Sequence, residues 1–158
     1  MTQNISRRIF LKGTLGATAL GVAVGAGLLA PKAVLAAWPK AAFEAKNIPE
    51  ALKALSGNDA VSESGDIKIK APDIAENGAV VPITISTTLA GATSISLIAS
   101  NNPVPLVASF DLGEGTEGFA STRIKMGKSG DVVAVVNAGG SLYSAKKGVK
   151  VTIGGCGG

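Results

Sequence analysis

Two periodicities divide the chain. Over residues 41–55 the apolar positions Ala41, Phe43, Ala45, Ile48, Ala51, Leu52 and Leu55 are interleaved with charged residues at helical spacing. Pro49 stands where a new first turn can start, so the segment predicts one or two short helices. Ser56-Gly57-Asn58-Asp59 ends that pattern, and a period of two takes over. Ile67, Ile69 and Ala71 alternate with Lys68 and Lys70, and Val81, Ile83, Ile85 and Thr87 alternate with Pro82, Thr84 and Ser86. Ile95, Leu97 and Ala99 continue the alternation, then Leu106, Ala108 and Phe110, then Ala120, Thr122, Ile124 and Met126. Residues 132–136 are apolar without interruption, which predicts a central strand covered on both faces. Val149, Val151 and Ile153 face opposite to Lys150 and Thr152, so the last strand is expected to hold to the core as far as Ile153.

Turn residues punctuate these runs at Asn77-Gly78, Asn101-Asn102-Pro103, Gly113-Glu114-Gly115 and Gly139-Gly140. The expected fold is therefore mainly β, an immunoglobulin-like β-sandwich of about seven strands with short N-terminal helices packed beside it. The large side chains Trp38, Phe43, Phe110, Phe119 and Tyr143 are expected mostly in the core.

The two ends of the chain are not fold elements by this reading. Ser6-Arg7-Arg8-Ile9-Phe10-Leu11-Lys12 is a twin-arginine export pattern, with Arg7 and Arg8 at its centre, followed by an uncharged stretch over residues 13–30 and then Pro31-Lys32. The stretch is rich in Gly, Ala, Thr and Val and only weakly hydrophobic, which favours a removed signal over a retained anchor. Val34-Leu35-Ala36 before Ala37 offers the small residues that a signal peptidase needs, and no cysteine stands after the cleavage site for lipid attachment. The expected organisation is a signal peptide at 1–36, a helical segment at 37–55, a sandwich at 56–153 and a carrier arm at 154–158. The expected location is the periplasm, with no membrane insertion after cleavage.

Cleavage alters the charge balance. The signal segment holds four basic residues and no acidic one, so the 15 basic and 11 acidic residues of the chain become 11 and 11. A formally neutral product gives no support for nucleic-acid binding. The chain has no histidine and one cysteine, which removes the usual ligands of zinc, copper, haem and iron–sulfur clusters, so no metal or cofactor is expected. Twin-arginine export of a folded chain without a cofactor points to a co-folded partner.

That one cysteine, Cys156, stands between glycine pairs: Gly154, Gly155, Gly157 and Gly158. Residues without Cβ atoms cannot pack and leave the backbone nearly unrestrained, so the thiol is expected on a flexible arm reaching roughly 10 Å beyond Ile153. With no second cysteine, an intermolecular bond or a reactive thiol is expected. A catalytic cysteine needs a base and a held geometry, and neither is at hand. Asp66, Asp73, Glu76, Glu114, Glu117 and Asp131 are scattered and read as solvated charge, Ser62 and Ser64 lack triad partners, and Gly113-Glu114-Gly115 reads as a hairpin turn. What remains is a carrier. An ordinary thiol is a few per cent thiolate at neutral pH, enough to accept a group once a partner enzyme activates it. Lys146, Lys147 and Lys150 are the nearest cations in sequence. A cross-linked structural dimer and a plain protein-binding sandwich are the competing readings. A thiocarboxylate carrier loaded on Gly158 needs ATP, which an exported protein lacks.

The twin-arginine precursor, the expected sandwich and the run Val151-Thr152-Ile153-Gly154-Gly155-Cys156-Gly157-Gly158 together resemble the SoxY family, sulfur carriers of the periplasmic Sox system that oxidises thiosulfate. The resemblance implies that thiosulfate is joined oxidatively to Cys156 as a cysteine S-thiosulfonate. It implies a companion subunit, SoxZ, and a sequence of enzymes. The c-type cytochrome SoxXA forms the adduct, the hydrolase SoxB releases sulfate, and the molybdenum sulfane dehydrogenase SoxCD acts on the remaining sulfur. It also implies that the chain is a covalent carrier and not itself an enzyme.

Overall fold

Local chemistry sets the two helices. A computed structural model describes residues 39–152. Helix α1 (Lys40–Glu44) is a short turn, and α2 (Ile48–Ser56) is capped at both ends. Asn47 adopts an extended conformation and its Oδ1 accepts the Glu50 N–H at 2.9 Å, while the Glu50 carboxylate reaches back to Asn47 Nδ2 and the Lys46 N–H. Each of these bonds satisfies a donor at the helix entrance. Gly57 closes the helix in the left-handed conformation at φ 73°, donating its N–H to the Lys53 carbonyl.

The rest is an immunoglobulin-like β-sandwich. Its strands are β1 (Val61–Glu63), β2 (Ile67–Lys70), β3 (Ile74–Ala75), β4 (Val81–Thr87), β5 (Ala92–Ala99), β6 (Leu106–Asp111), β7 (Phe119–Ile124), β8 (Gly130–Ala138) and β9 (Ser141–Val151). The larger sheet runs β1-β9-β8-β5-β6, with β3 also on β9, and the smaller runs β2-β4-β7. Seven of these strands are the expected ones. The other two, β1 and β3, are short and pair parallel with opposite halves of β9, at Val61 to Leu142 and Ala75 to Val151. Between them β2 crosses to the other sheet, where it pairs with β4.

The alternating positions do what their period requires. Val81, Ile83 and Ile85 of β4 meet Ile95 and Leu97 of β5 and Val132, Ala134 and Val136 of β8 in the core between the sheets. The uninterrupted apolar run of β8 is explained by a second core on its other face. There Val135, with Val133, packs with Ile98, Leu106 and Leu142 beneath Ala42, Ala45, Ala51 and Leu52 of the helical segment. Removing such side chains from water contributes about 25 cal/mol per Å² of apolar surface, which is what holds two short helices in place.

Three expectations change. Leu106, Ala108 and Phe110 do not share a face, because the β5–β6 register shifts between Leu97, opposite Ala108, and Ile98, opposite Leu106. The extra residue, Val107, reverses the parity, so Leu106 turns to the helices while Ala108 and Phe110 stay with the inter-sheet core. The turn at Gly113-Glu114-Gly115 is not a hairpin: β6 and β7 belong to different sheets and the turn carries the chain across the sandwich. Finally, Phe119 is 53% exposed, whereas Phe43, Phe110 and Tyr143 are partly buried against the cores. Trp38 and Ile153 lie outside the described residues.

Candidate functional site

The sequence reading expects the chemistry at Cys156, and the described structure shows how the chain is held as far as Thr152. Cys156, the four glycines around it (Gly154, Gly155, Gly157, Gly158) and the arginines of the export pattern (Arg7, Arg8) all lie outside the described residues. Strand β9, at 11 residues the longest, carries the backbone to Val151. One edge is held throughout by β8, from Ser141 opposite Ala138 to Val149 opposite Gly130. At its end separate segments close on Lys150, Val151 and Thr152. The Ser129 hydroxyl accepts the Val151 N–H at 2.8 Å and donates to the Val151 carbonyl at 3.4 Å. From the opposite edge the Asp73 carbonyl accepts the Lys150 N–H at 2.9 Å and the Ala75 carbonyl accepts the Thr152 N–H at 3.1 Å. The Thr152 hydroxyl, 3.2–3.3 Å from the Ala75 and Glu76 carbonyls, donates to this pair.

Gly78 completes the clamp from the third side. Its carbonyl accepts the Met126 N–H at 2.7 Å. A Cβ there would stand 2.5 Å from the Met126 carbonyl oxygen and 2.7 Å from Val151 Cγ1, so only glycine allows this approach. The sequence marked Asn77-Gly78 as a turn, and the turn is there, with Asn77 Oδ1 accepting the Ala79 N–H at 2.9 Å. What the sequence could not disclose is that the turn also supports Val151, 73 residues away. Ser129 likewise had no signal beyond its place in a polar loop.

Two of the lysines of β9 are paired. Lys147 Nζ is 3.1 Å from Asp73 and Lys146 Nζ is 3.6 Å from Glu63, both on the surface. Among the described residues Lys150 makes no ion pair and is exposed. Such exposed pairs contribute little to stability, and Lys128, beside Ser129, likewise makes no ion pair among the described residues. Asp66, Asp73, Glu76, Glu114, Glu117 and Asp131 are all exposed: Asp66 precedes β2, Asp73 and Glu76 flank β3, Glu114 and Glu117 share the loop between β6 and β7, and Asp131 lies in β8. Ser64 hydrogen-bonds Asp66 at 3.3 Å, and Ser62 is exposed on β1. Among the described residues no three His, Cys, Asp or Glu side chains gather as a metal site would require, and no helix is long and apolar enough to cross a membrane. The described part of the molecule thus supplies an anchored strand end and no pre-organised set of acid, base and nucleophile.

Comparison with known proteins bears on the residues beyond that anchor. The family model described as sulfur oxidation protein SoxY matches residues 52–156, from the middle of α2 through the cysteine. A solved structure of the sulfur carrier protein SoxY from Chlorobium limicola f thiosulfatophilum is 48% identical, with a TM-score of 0.60 over 65% of this chain and 94% of that one. A structure of the bacterial superantigen toxic shock syndrome toxin-1 aligns at 12% identity and a TM-score of 0.40, over 54% of this chain and 99% of that one, too slight a likeness to bear on fold or function. No curated protein sequence matches.

Proposed function

We propose, from the premise that this chain belongs to the SoxY family of sulfur oxidation proteins and has a sulfur-oxidation carrier role, that Cys156 is the covalent attachment point for thiosulfate-derived sulfur. The observation that carries this reading is that the family match runs through Cys156, the one cysteine of the chain, a few residues beyond a strand end clamped at Val151 and Thr152. An anchored root followed by Gly154-Gly155 and Gly157-Gly158 suits a thiol that must enter active sites on other proteins while the sandwich stays outside.

The chemistry balances without a catalytic group on this chain. Joining the Cys156 thiol to the outer sulfur of thiosulfate forms an S–S bond, releases one proton and gives up two electrons, which a c-type cytochrome such as SoxXA accepts. Water then cleaves the bond between the sulfane sulfur and the sulfonate, releasing sulfate and leaving a persulfide on Cys156, the step assigned to SoxB. SoxCD is the candidate oxidant of that persulfide. The carrier works in complex with SoxZ, and Arg7 and Arg8 direct the folded pair through the twin-arginine route to the periplasm. In this scheme the chain is a substrate-bearing subunit and the partners supply catalysis.

The test is the mass of the C-terminal peptide from cells oxidising thiosulfate, isolated without reductant. Sulfur-containing adducts on Cys156 that dithiothreitol removes are the expected result, together with loss of thiosulfate oxidation in a Cys156→Ser strain. A Cys156→Ser strain that oxidises thiosulfate at the normal rate would overturn the assignment. Replacing Gly155 and Gly157 by Val is expected to slow turnover with the fold unchanged.

A further inference from the structure

Asn77-Gly78 is the one Asn-Gly pair in the chain, and the clamp uses only part of its chemistry. Asn77 is exposed, and its Oδ1 accepts the Ala79 N–H at 2.9 Å, so the side chain curls along its own backbone. The Asn77 carbonyl accepts the Val80 N–H at 3.3 Å. Among the described residues neither Asn77 Nδ2 nor the Gly78 N–H has a hydrogen-bond partner. An unengaged backbone nitrogen therefore follows a carboxamide whose oxygen already faces a donor, and glycine puts no Cβ in the path between them.

The other asparagines among the described residues lack this combination. Asn102 precedes Pro103, which has no N–H, and both ends of its amide are engaged, Nδ2 with the Lys125 carbonyl at 2.7 Å and Oδ1 with the Gly127 N–H at 3.0 Å. Asn101 Nδ2 donates to the Ser129 carbonyl at 2.7 Å. Asn47 caps α2 with both ends of its amide engaged, and Asn137 lies within β8. Asn58 makes the same turn, its Oδ1 accepting the Ala60 N–H at 2.9 Å, but the side chain of Asp59 follows where Asn77 has a glycine.

We infer that Asn77-Gly78 is a site of spontaneous covalent modification by water, in which loss of the Asn77 amide lengthens the main chain and releases the end of β9. The Gly78 nitrogen bonds to Asn77 Cγ, the Cγ–Nδ2 bond breaks, and ammonia leaves with the proton of the Gly78 N–H. Water then opens the cyclic imide at either carbonyl, giving aspartate or isoaspartate, with no transfer of electrons. Isoaspartate routes the main chain through Cβ and Cγ, an extra carbon between Glu76 and Gly78. That segment has no slack. The Glu76 carbonyl accepts the Thr152 hydroxyl at 3.2 Å, and the Gly78 carbonyl accepts the Met126 N–H at 2.7 Å. Gly78 cannot move toward β9, since even a Cβ there would stand 2.7 Å from Val151 Cγ1. A longer chain between these contacts gives one of them up, and with it the support of Val151 or Thr152. The inference concerns the sandwich itself and does not depend on the carrier reading.

The experiment holds the purified chain at mildly alkaline pH, digests samples over time and weighs each asparagine peptide. Isoaspartate is counted by enzymatic methylation with a protein isoaspartate methyltransferase. Asn77 is expected to convert at least about tenfold faster than Asn58, a difference of about 1.4 kcal/mol in barrier. In the aged chain amide exchange at Val151 and Thr152 should quicken while exchange at Val132 and Val136 holds. Asn77→Ser keeps an acceptor for the turn and removes the leaving amide, so it should show neither change over the same time. Asn77→Asp supplies the carboxylate without the extra carbon and should exchange like fresh wild type. Conversion at Asn77 no faster than at Asn58 overturns the inference. So does isoaspartate at Asn77 with exchange at Val151 and Thr152 unchanged. An Asn77→Asp variant that exchanges as quickly as the aged chain also overturns it, because charge and not chain length would then carry the effect.

Discussion

The outer faces of the two sheets have the same geometry and opposite fates. On the larger sheet Ile98, Leu106, Val135 and Leu142 point outward and are covered by Ala42, Ala45, Ala51 and Leu52 of the helical segment. On the smaller sheet the outward positions are Lys68, Lys70, Pro82, Ser86, Phe119, Ser121 and Arg123, and the described residues leave them in solvent. One face therefore contributes to the stability of the fold, while substitutions on the other are free to serve something outside it. A protein can alter the second face at little cost to folding.

The largest expected effect tests the covered face. Leu52→Ala removes a side chain that is 4% exposed at the centre of the second core and is expected to destabilise by about 2–5 kcal/mol in urea denaturation. Ser86→Ala on the bare face should stay within about 0.5 kcal/mol. Equal losses at the two sites would mean that the faces are not energetically distinct.

Next comes the clamp at the end of β9. Gly78→Ala forces a Cβ against the Met126 carbonyl and Val151, and overpacking of this kind costs about 1–3 kcal/mol. Amide exchange at Val151 and Thr152 should quicken more than exchange at Val132 or Val136, because only the first pair leans on this turn. Uniform acceleration across the sandwich would assign Gly78 to general packing instead.

A smaller loss is expected at the entrance of α2. Asn47→Ala deletes the acceptor for the Glu50 N–H and should cost about 1 kcal/mol, whereas Asn47→Gly should cost only a few tenths. The same denaturation curves show whether the cover over the larger sheet depends on its cap. The least effect on stability belongs to Lys68→Glu, expected within about 0.5 kcal/mol. A loss as large as that of Leu52→Ala would show that the cations of the bare face serve the fold.

Much of this architecture was legible in the order of residues, and the particular failures show where legibility stops. The alternation of β4, the continuous apolar run of β8 and the break after α2 at Ser56-Gly57-Asn58-Asp59 are local properties, set by side-chain direction and by residues that favour turns. The bulge at Val107 was not legible, since Leu106, Ala108 and Phe110 fit an unbroken period of two, and the shift exists only relative to β5. Nor was the crossing at Gly113-Glu114-Gly115, because a turn sequence specifies a change of direction and not which strand comes next.

The functional region divides in the same way. A single cysteine among glycines, with no histidine in the chain, marks Cys156 as the chemically distinctive residue and leads the sequence reading to a carrier. Those conclusions need only residue identities, because reactivity and backbone freedom are properties of the residues themselves. That Ser129, Ala75, Glu76 and Gly78 converge on Val151 and Thr152 was decided by the tertiary structure. So was the gathering of Lys68, Lys70, Phe119 and Arg123 on one bare face. Both arrangements join residues tens of positions apart, and such neighbours exist only once strand order and register have been chosen by the burial of the two cores.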